Sequence, residues 1–180
     1  MSIQTIERYL EKDFDLTEIL NGVEIMSPSP FSKHQSISRK IFKKIDRYIE
    51  EKKLGETYYS PLDVIFEENV NRLQPDIIFI KHDNMAIVQD WIRGIPDMVC
   101  EIVSIGTHKR DTITKKEIYE RYQVPEYWII VPELQTIEVL TIGANKKYQV
   151  FSYAEGEGFI QSMVIEGLIV DIKDVFNEDK

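Results

Sequence analysis

Residues 95–104 read IPDMVCEIVS, and this stretch decides the fold. Met98, Val99, Cys100, Ile102 and Val103 are apolar at consecutive rather than alternate positions, the pattern of a strand covered on both faces. Such a strand needs a layer on each side, which points to a sheet flanked by helices. Glu101 interrupts the run. A carboxylate there is costly to desolvate, so it is expected to be paired, protonated or metal-bound. A structural salt bridge with a lysine is the plainer alternative.

Upstream, QPDIIFI (74–80) sets Asp76 after Pro75 at the start of a second apolar strand. An acid in that place is either a strand-start turn residue or a ligand. ETYYS (56–60) and DVIFEE (63–68) read as further strands. Ile37, Ile41, Ile45 and Ile49 recur every fourth residue with Tyr48 beside them, one apolar stripe on a helix of about five turns. Asn21-Gly22 between two apolar runs predicts a two-residue hairpin closed by Pro28 and Pro30, and Ile3–Leu10 reads as a short amphipathic helix. Downstream, TITKKEIYERYQ (112–123) predicts a helix with Asp111 as its cap and Lys115, Tyr119 and Tyr122 on one face. EYWIIVP, TIEVLTI, YQVFSYA, GFIQSMVI and LIVDI extend the β content, with Tyr127 and Trp128 packed in or against the sheet. The order predicts a mixed β-sheet flanked by helices, α/β bordering on α+β. Nothing resembling a linker or repeat divides residues 1–180, so one domain is expected.

The net charge of −9 argues against indiscriminate attraction to nucleic acid. Its distribution is uneven. Lys33 to Lys53 holds eight basic residues against three acidic, so that segment is +5 and the remainder −14. The segment is either a solvated helix face or a phosphate-facing stripe. No apolar run approaches the roughly 20 residues of a membrane span, and MSIQTIERYLEKDFDL has no secretory core. The lone Cys100 excludes a disulfide framework and reads as a buried thiol, which together favours a cytoplasmic protein. The three histidines show no zinc spacing, and neither phosphate-cradling glycine loops nor a G-x-S-x-G elbow occurs.

Hydrolysing a phosphodiester near neutral pH calls for a hard cation, carboxylates to hold it, and a cationic group near the attacking water or the developing charge. Asp76 and Glu101 are the strand-borne acids that suit this task. Lys115, which alone would read as an exposed helix lysine, gains weight from its place after them.

Pro75-Asp76, Pro96-Asp97, Glu101-Ile102-Val103-Ser104, Asp111, Lys115, Tyr119 and Val124-Pro125-Glu126-Tyr127-Trp128 come in the order of the Uma2 family. That family is a branch of the PD-(D/E)xK, restriction endonuclease-like nucleases, and the resemblance runs from about Thr17 to Phe176. It implies that Asp76, Glu101 and the Ile102 carbonyl bind Mg²⁺ or Mn²⁺. It also implies a nucleic-acid substrate, expected to be DNA. The superfamily's usual lysine stands two residues after the Glu, where this chain has Val103; the resemblance implies that Lys115 reaches the site instead, with Lys116 as its neighbouring competitor. Glu18 is a candidate third acid or a hairpin-surface residue. His34 is a candidate contact to phosphate or water, or else a cap or surface residue. Asp97 and Ser104 are expected to fix strand ends and the next turn.

The expected function is therefore a metal-dependent endonuclease. The alternatives are a nuclease-fold module that binds nucleic acid or protein without cutting, and a metal-dependent hydrolase of small phosphoesters. A symmetric homodimer is expected, since the C-terminal strands carry more apolar surface than one small sheet needs and relatives in this superfamily often pair.

Overall fold

The isoleucine stripe forms as its spacing predicts. In the computed structural model, which describes residues 16–26, 29–104, 106 and 108–177, Ile37, Ile41, Ile45 and Ile49 are buried along helix α1 (Ser32–Lys52). Each buried isoleucine contributes roughly 1.5–3 kcal/mol. The stripe packs on one face of a six-stranded sheet, against Ile77, Phe79, Met98, Cys100 and Ile102. The expected helix at Ile3–Leu10 and the closing Pro28 lie outside the described residues.

That sheet contains β3 (Gly55–Tyr59), β6 (Ile77–Lys81), β8 (Met98–Ile102), β9 (Glu126–Val131), β10 (Thr136–Ile142) and β11 (Tyr148–Glu155). Their spatial order is β11-β10-β9-β8-β6-β3. β8 is central and all five of its residues are buried, as its continuous apolar run predicts. Cys100 is wholly buried, and burial pushes its thiol pKa up. Tyr127 and Trp128 on β9 are also fully buried. β8 and β9 run parallel, so the chain must cross back between them. The crossover contains a π-helical segment, Arg110–Lys115, that runs directly into α2 (Lys116–Arg121). Ile118 and Tyr119 of α2 cover the second face of the sheet with Val99, Val103 and Tyr127.

A second sheet, a layer that the sequence does not announce, has the spatial order Val23–Met26, Thr17–Leu20, Asn71–Leu73, Val64–Glu67, Ile92–Arg93. It comprises β1 (Thr17–Leu20), β2 (Val23–Met26), β4 (Val64–Glu67), β5 (Asn71–Leu73) and β7 (Ile92–Arg93). Asn21 and Gly22 both take positive φ, 53° and 78°, as the hairpin between β1 and β2 requires. β5 and β7, three and two residues long, were not expected, because runs that short leave no measurable periodicity. β4 runs parallel to β7 and β8 parallel to β9, while the other pairings are antiparallel, so both main sheets are mixed and the architecture is α+β.

Two boundaries differ from expectation. Asp111 does not cap its helix: helical backbone begins upstream, and Asp111 is buried inside the π-helical segment. GFIQSMVI is a strand only at β12 (Phe159–Gln161), which pairs with β13 (Ile169–Asp171). The chain turns after Gln161 because buried Glu126 accepts hydrogen bonds from Ser162 Oγ (2.6 Å), Met163 N (2.6 Å) and Val164 N (3.0 Å). A short helix, α3 (Lys173–Phe176), follows.

At least four of the eight basic residues between Lys33 and Lys53 make intramolecular contacts. Lys44 pairs with Asp174 at 2.7 Å, Arg47 with Glu51 at 2.8 Å and Lys33 with Glu133 at 3.9 Å, while Lys40 donates to the Asn177 carbonyl. No helix among the described residues is long and apolar enough to cross a membrane.

Candidate metal and phosphate site

Asp76 precedes β6, and its backbone is fixed by Pro75 before it and by the Ser60 N–H donating to its carbonyl (3.1 Å). β6 and β8 are antiparallel with Ile77 opposite Cys100, and one further step of that register sets Asp76 opposite Glu101. Residues directly opposite project to the same face with Cβ atoms roughly 4.5–5.5 Å apart. Both acids line one cavity of about 460 Å³. The Ile102 N–H donates to Asp76 Oδ2 at 2.7 Å, which ties the first acid to the strand of the second.

Glu101 is 3% exposed. Its Oε1 accepts hydrogen bonds from Lys115 Nζ (2.9 Å) and the Tyr119 hydroxyl (2.6 Å). Burial raises its pKa well above the ordinary carboxyl value; Lys115 opposes this, while Asp111, Asp76 and Glu18 add to it. Lys115 is 2% exposed and lies 2.8 Å from Glu18 Oε1 and 3.9 Å from Asp111 Oδ1. Burial alone would lower its pKa, but Glu101, Glu18 and Asp111 outweigh that and raise it, so it remains a cation. Lys115 therefore does reach Glu101, coming from the crossover rather than from β8. Val103, at the superfamily's usual lysine position, is buried in the apolar cluster around Tyr119. Lys116 is not among the residues lining the cavity.

The remaining expectations divide. Glu18 is not a hairpin-surface residue: it is 1% exposed and also accepts from the Gln74 N–H at 2.8 Å. His34 neither caps α1 nor lies at the surface. Its Nε2 is 3.3 Å from Asp76 Oδ2. Burial would lower the His34 pKa, yet the Asp76 hydrogen bond and charge, the Ile102 backbone and Asp111 together raise it. Asp97 lies away from the site, where its Oδ2 accepts from the Lys81 N–H and from Asn84 Nδ2, both at 2.9 Å, and so fixes the end of β6. Ser104 lines the cavity.

Three participants carry no distinctive mark in the sequence. Asp111 has the identity and place of a cap. Tyr119 lies on the face its spacing predicts, and its hydroxyl bonds Glu101. Arg110 lines the cavity with Nη1 3.8 Å from Glu18 Oε2 and Nε 3.6 Å from Asp111 Oδ1, both longer than hydrogen bonds. Its signal was its position next to Asp111, five residues before Lys115; a helix-face argument anchored on an assumed cap discards it.

The mixed sheets and the helices on them form a restriction endonuclease-like fold. The chain belongs to the Uma2 family, described as "Putative restriction endonuclease", whose sequence model matches residues 4–173. Among solved structures, one described as a "putative nuclease belonging to DUF820" from Anabaena variabilis ATCC 29413 superposes with a TM-score of 0.75 at 19% identity, covering 95% of this chain and 96% of that one. No curated protein matches the chain.

Proposed function

We propose that this protein is a metal-dependent endonuclease that hydrolyses phosphodiester bonds in DNA. The observation that carries the reading is the convergence of Asp76 and Glu101, from adjacent strands, on one cavity whose buried cation, Lys115 Nζ, lies 2.9 Å from Glu101. Family membership supports it.

The donor set fits Mg²⁺ or Mn²⁺. Asp76, Glu101 and the Ile102 carbonyl offer only hard oxygen ligands. No group of three or more His, Cys, Asp or Glu among the described residues gathers closely enough to hold a metal by itself. A partial protein shell suits Mg²⁺, which keeps several waters and takes oxygens from its substrate. When bound, the ion supplies Lewis acidity and lowers the pKa of a coordinated water.

The chain's own residues do the rest. Asp76 and Glu101 hold the cation, and the Tyr119 hydroxyl fixes the orientation of Glu101. Lys115 presents positive charge where negative charge would build on the phosphate oxygens in the transition state. His34 braces Asp76. Arg110 has hydrogen-bonding capacity for a phosphate oxygen at the cavity wall. A second reading, hydrolysis of a small phosphoester, draws on the internal pairing of Lys33, Lys40, Lys44 and Arg47, which leaves less of α1 for a duplex backbone.

The test is cleavage of plasmid and oligonucleotide DNA with Mn²⁺, with Mg²⁺ and with EDTA, beside calorimetric Mn²⁺ titration of the parent, Asp76→Asn and Glu101→Gln. Cleavage that needs metal, lost with Mn²⁺ affinity in both variants, supports the proposal. Mn²⁺ binding and DNA binding without cleavage indicate a non-cutting module. Turnover of small phosphodiesters alone favours the second reading.

A further inference from the structure

The mouth of the cavity carries two large rings that no core claims. Phe31 is 79% exposed and Tyr59 is 64% exposed, and both line the cavity that holds Asp76, Glu101 and Lys115. Phe31 sits at the N-cap of α1, with φ −73° and ψ 159°, and makes no capping hydrogen bond. Ser, Thr, Asp or Asn there would satisfy one of the helix's unbonded N–H groups, so the phenyl ring is a poor choice for helix stability. Tyr59 closes β3 opposite Ile77, and the N–H of the next residue, Ser60, is bonded to the carbonyl of Asp76. Phe42 meets the Tyr59 ring at 5.0 Å and 71°, bracing it edge-to-face. The result is an apolar, aromatic rim around a floor of carboxylates and cations.

Resting on the nuclease reading above, we propose that Phe31 and Tyr59 form a stacking rim that receives an unpaired nucleobase and so directs the site to single-stranded DNA. The occupant follows from the chemistry. A strand entering this cavity brings phosphate to the floor, where Lys115 and Arg110 carry positive charge, and must leave the adjoining base near the mouth. Every base has a π face that stacks on Phe or Tyr without needing a hydrogen bond. In a duplex both faces of each base are already covered by neighbouring pairs, so a protruding ring gains nothing without unstacking them. In a single strand, a frayed end or a flap, the face is free. Lys33, Lys40 and Lys44 of α1 are engaged within the chain, which points the same way, because a site for intact duplex depends more heavily on backbone charge.

The experiment uses the full chain in Ca²⁺, which occupies hard-oxygen sites, and fluorescence anisotropy on a single-stranded oligonucleotide, its blunt duplex, and the duplex with a single-stranded flap. The parent is expected to bind single strand and flap at least about tenfold more tightly than blunt duplex, a margin within the range that aromatic–base stacking provides. Phe31→Ala and Tyr59→Ala each reduce that margin by about fivefold or more, and Phe31→Trp restores it. Equal affinity for strand and duplex in the parent overturns the inference and leaves the nuclease reading standing. So does an alanine variant that lowers thermal stability or changes the oligomer mass without altering the margin, since the rings then pack against the chain or a second copy. No binding to any of the three DNAs overturns the inference and the nuclease reading together.

Discussion

Lys115 and Glu101 meet at 2.9 Å, Nζ to Oε1, with both side chains nearly inaccessible to water. Removing one partner of such a pair leaves an uncompensated buried charge and costs about 3–5 kcal/mol. Lys115→Met is therefore expected to be destabilised by that order at about pH 8. The deficit should narrow as pH falls. The folded-state pKa of Glu101 is raised, by burial first, so its contribution to stability is fully present below the unfolded carboxyl value of about 4.3 and is lost as pH rises through the folded value. Urea titrations of parent and variant at about pH 5 and pH 8 measure this. A deficit equal at both values would mean that Glu101 does not take up the proton.

The same lysine separates structure from chemistry. Under the proposed function, Lys115→Ala lowers cleavage roughly 10²–10³-fold, the loss typical of one transition-state charge contact. Mn²⁺ affinity should stay level or improve, because a neighbouring positive charge has been removed. Lys116→Ala should leave both unchanged, since Lys116 does not line the cavity. Rates under single-turnover conditions with calorimetric Mn²⁺ titration decide it. Parent-like cleavage in Lys115→Ala removes the lysine from the mechanism.

His34 gives a second pH signature. Its folded pKa is raised: burial alone would lower it, and Asp76, the Ile102 backbone and Asp111 outweigh that. Stability from protonated His34 is fully present below about 6.5 and is lost as pH rises through the higher folded value. In EDTA, melting curves of the parent should show a component falling above about pH 6.5, with a slope below the roughly 1.4 kcal/mol per pH unit that one proton can supply. His34→Gln should lack that component. Identical slopes in both proteins would assign it elsewhere.

Glu126 holds the segment Ser162–Val164 against the sheet. It is fully buried and accepts from Trp128 Nε1 at 2.7 Å as well as from Ser162, Met163 and Val164. Glu126→Ala strands several donors, each costing about 1–3 kcal/mol, so a loss of 3 kcal/mol or more is expected. Glu126→Gln retains an acceptor and should lose less. Equilibrium unfolding ranks the variants. A loss under about 1 kcal/mol in Glu126→Ala would show that water replaces the carboxylate.

Much of this was legible in the sequence because the burial signal is periodic. The four isoleucines of α1, the two-faced run of β8 and the Asn21-Gly22 turn each state their environment locally. The acids Asp76 and Glu101 stood out because carboxylates are expensive within apolar strands. What stayed hidden depends on residues distant in sequence. Glu18 is buried through Lys115 and the Gln74 backbone, more than 50 residues away, and nothing in TEIL distinguishes it from a surface acid. Asp111 had the identity and place of a helix cap, and the irregular π-helical turn that buries it leaves no compositional mark. The strand expected across Ser162–Ile165 was lost to Glu126, whose pull on those amides is a tertiary effect.

β11 is the outer strand of the six-stranded sheet and is eight residues long, with Val150, Phe151 and Tyr153 exposed by 44–56%. Phe159 and Ile169, on the neighbouring β12 and β13, are 64% and 57% exposed. A long edge strand with apolar side chains is an open template for pairing, and proteins usually cover or charge such edges. We propose a symmetric homodimer that covers this region, which would also offer two cutting sites related by a two-fold axis. A stable interface of this kind buries about 1,200–2,000 Å² in total, so charges at its centre should prevent it. Light scattering should give twice 21.2 kDa for the parent and 21.2 kDa for Phe151→Lys combined with Phe159→Lys, with the melting temperature lowered only modestly. A parent mass of one chain at all usable concentrations ends the proposal.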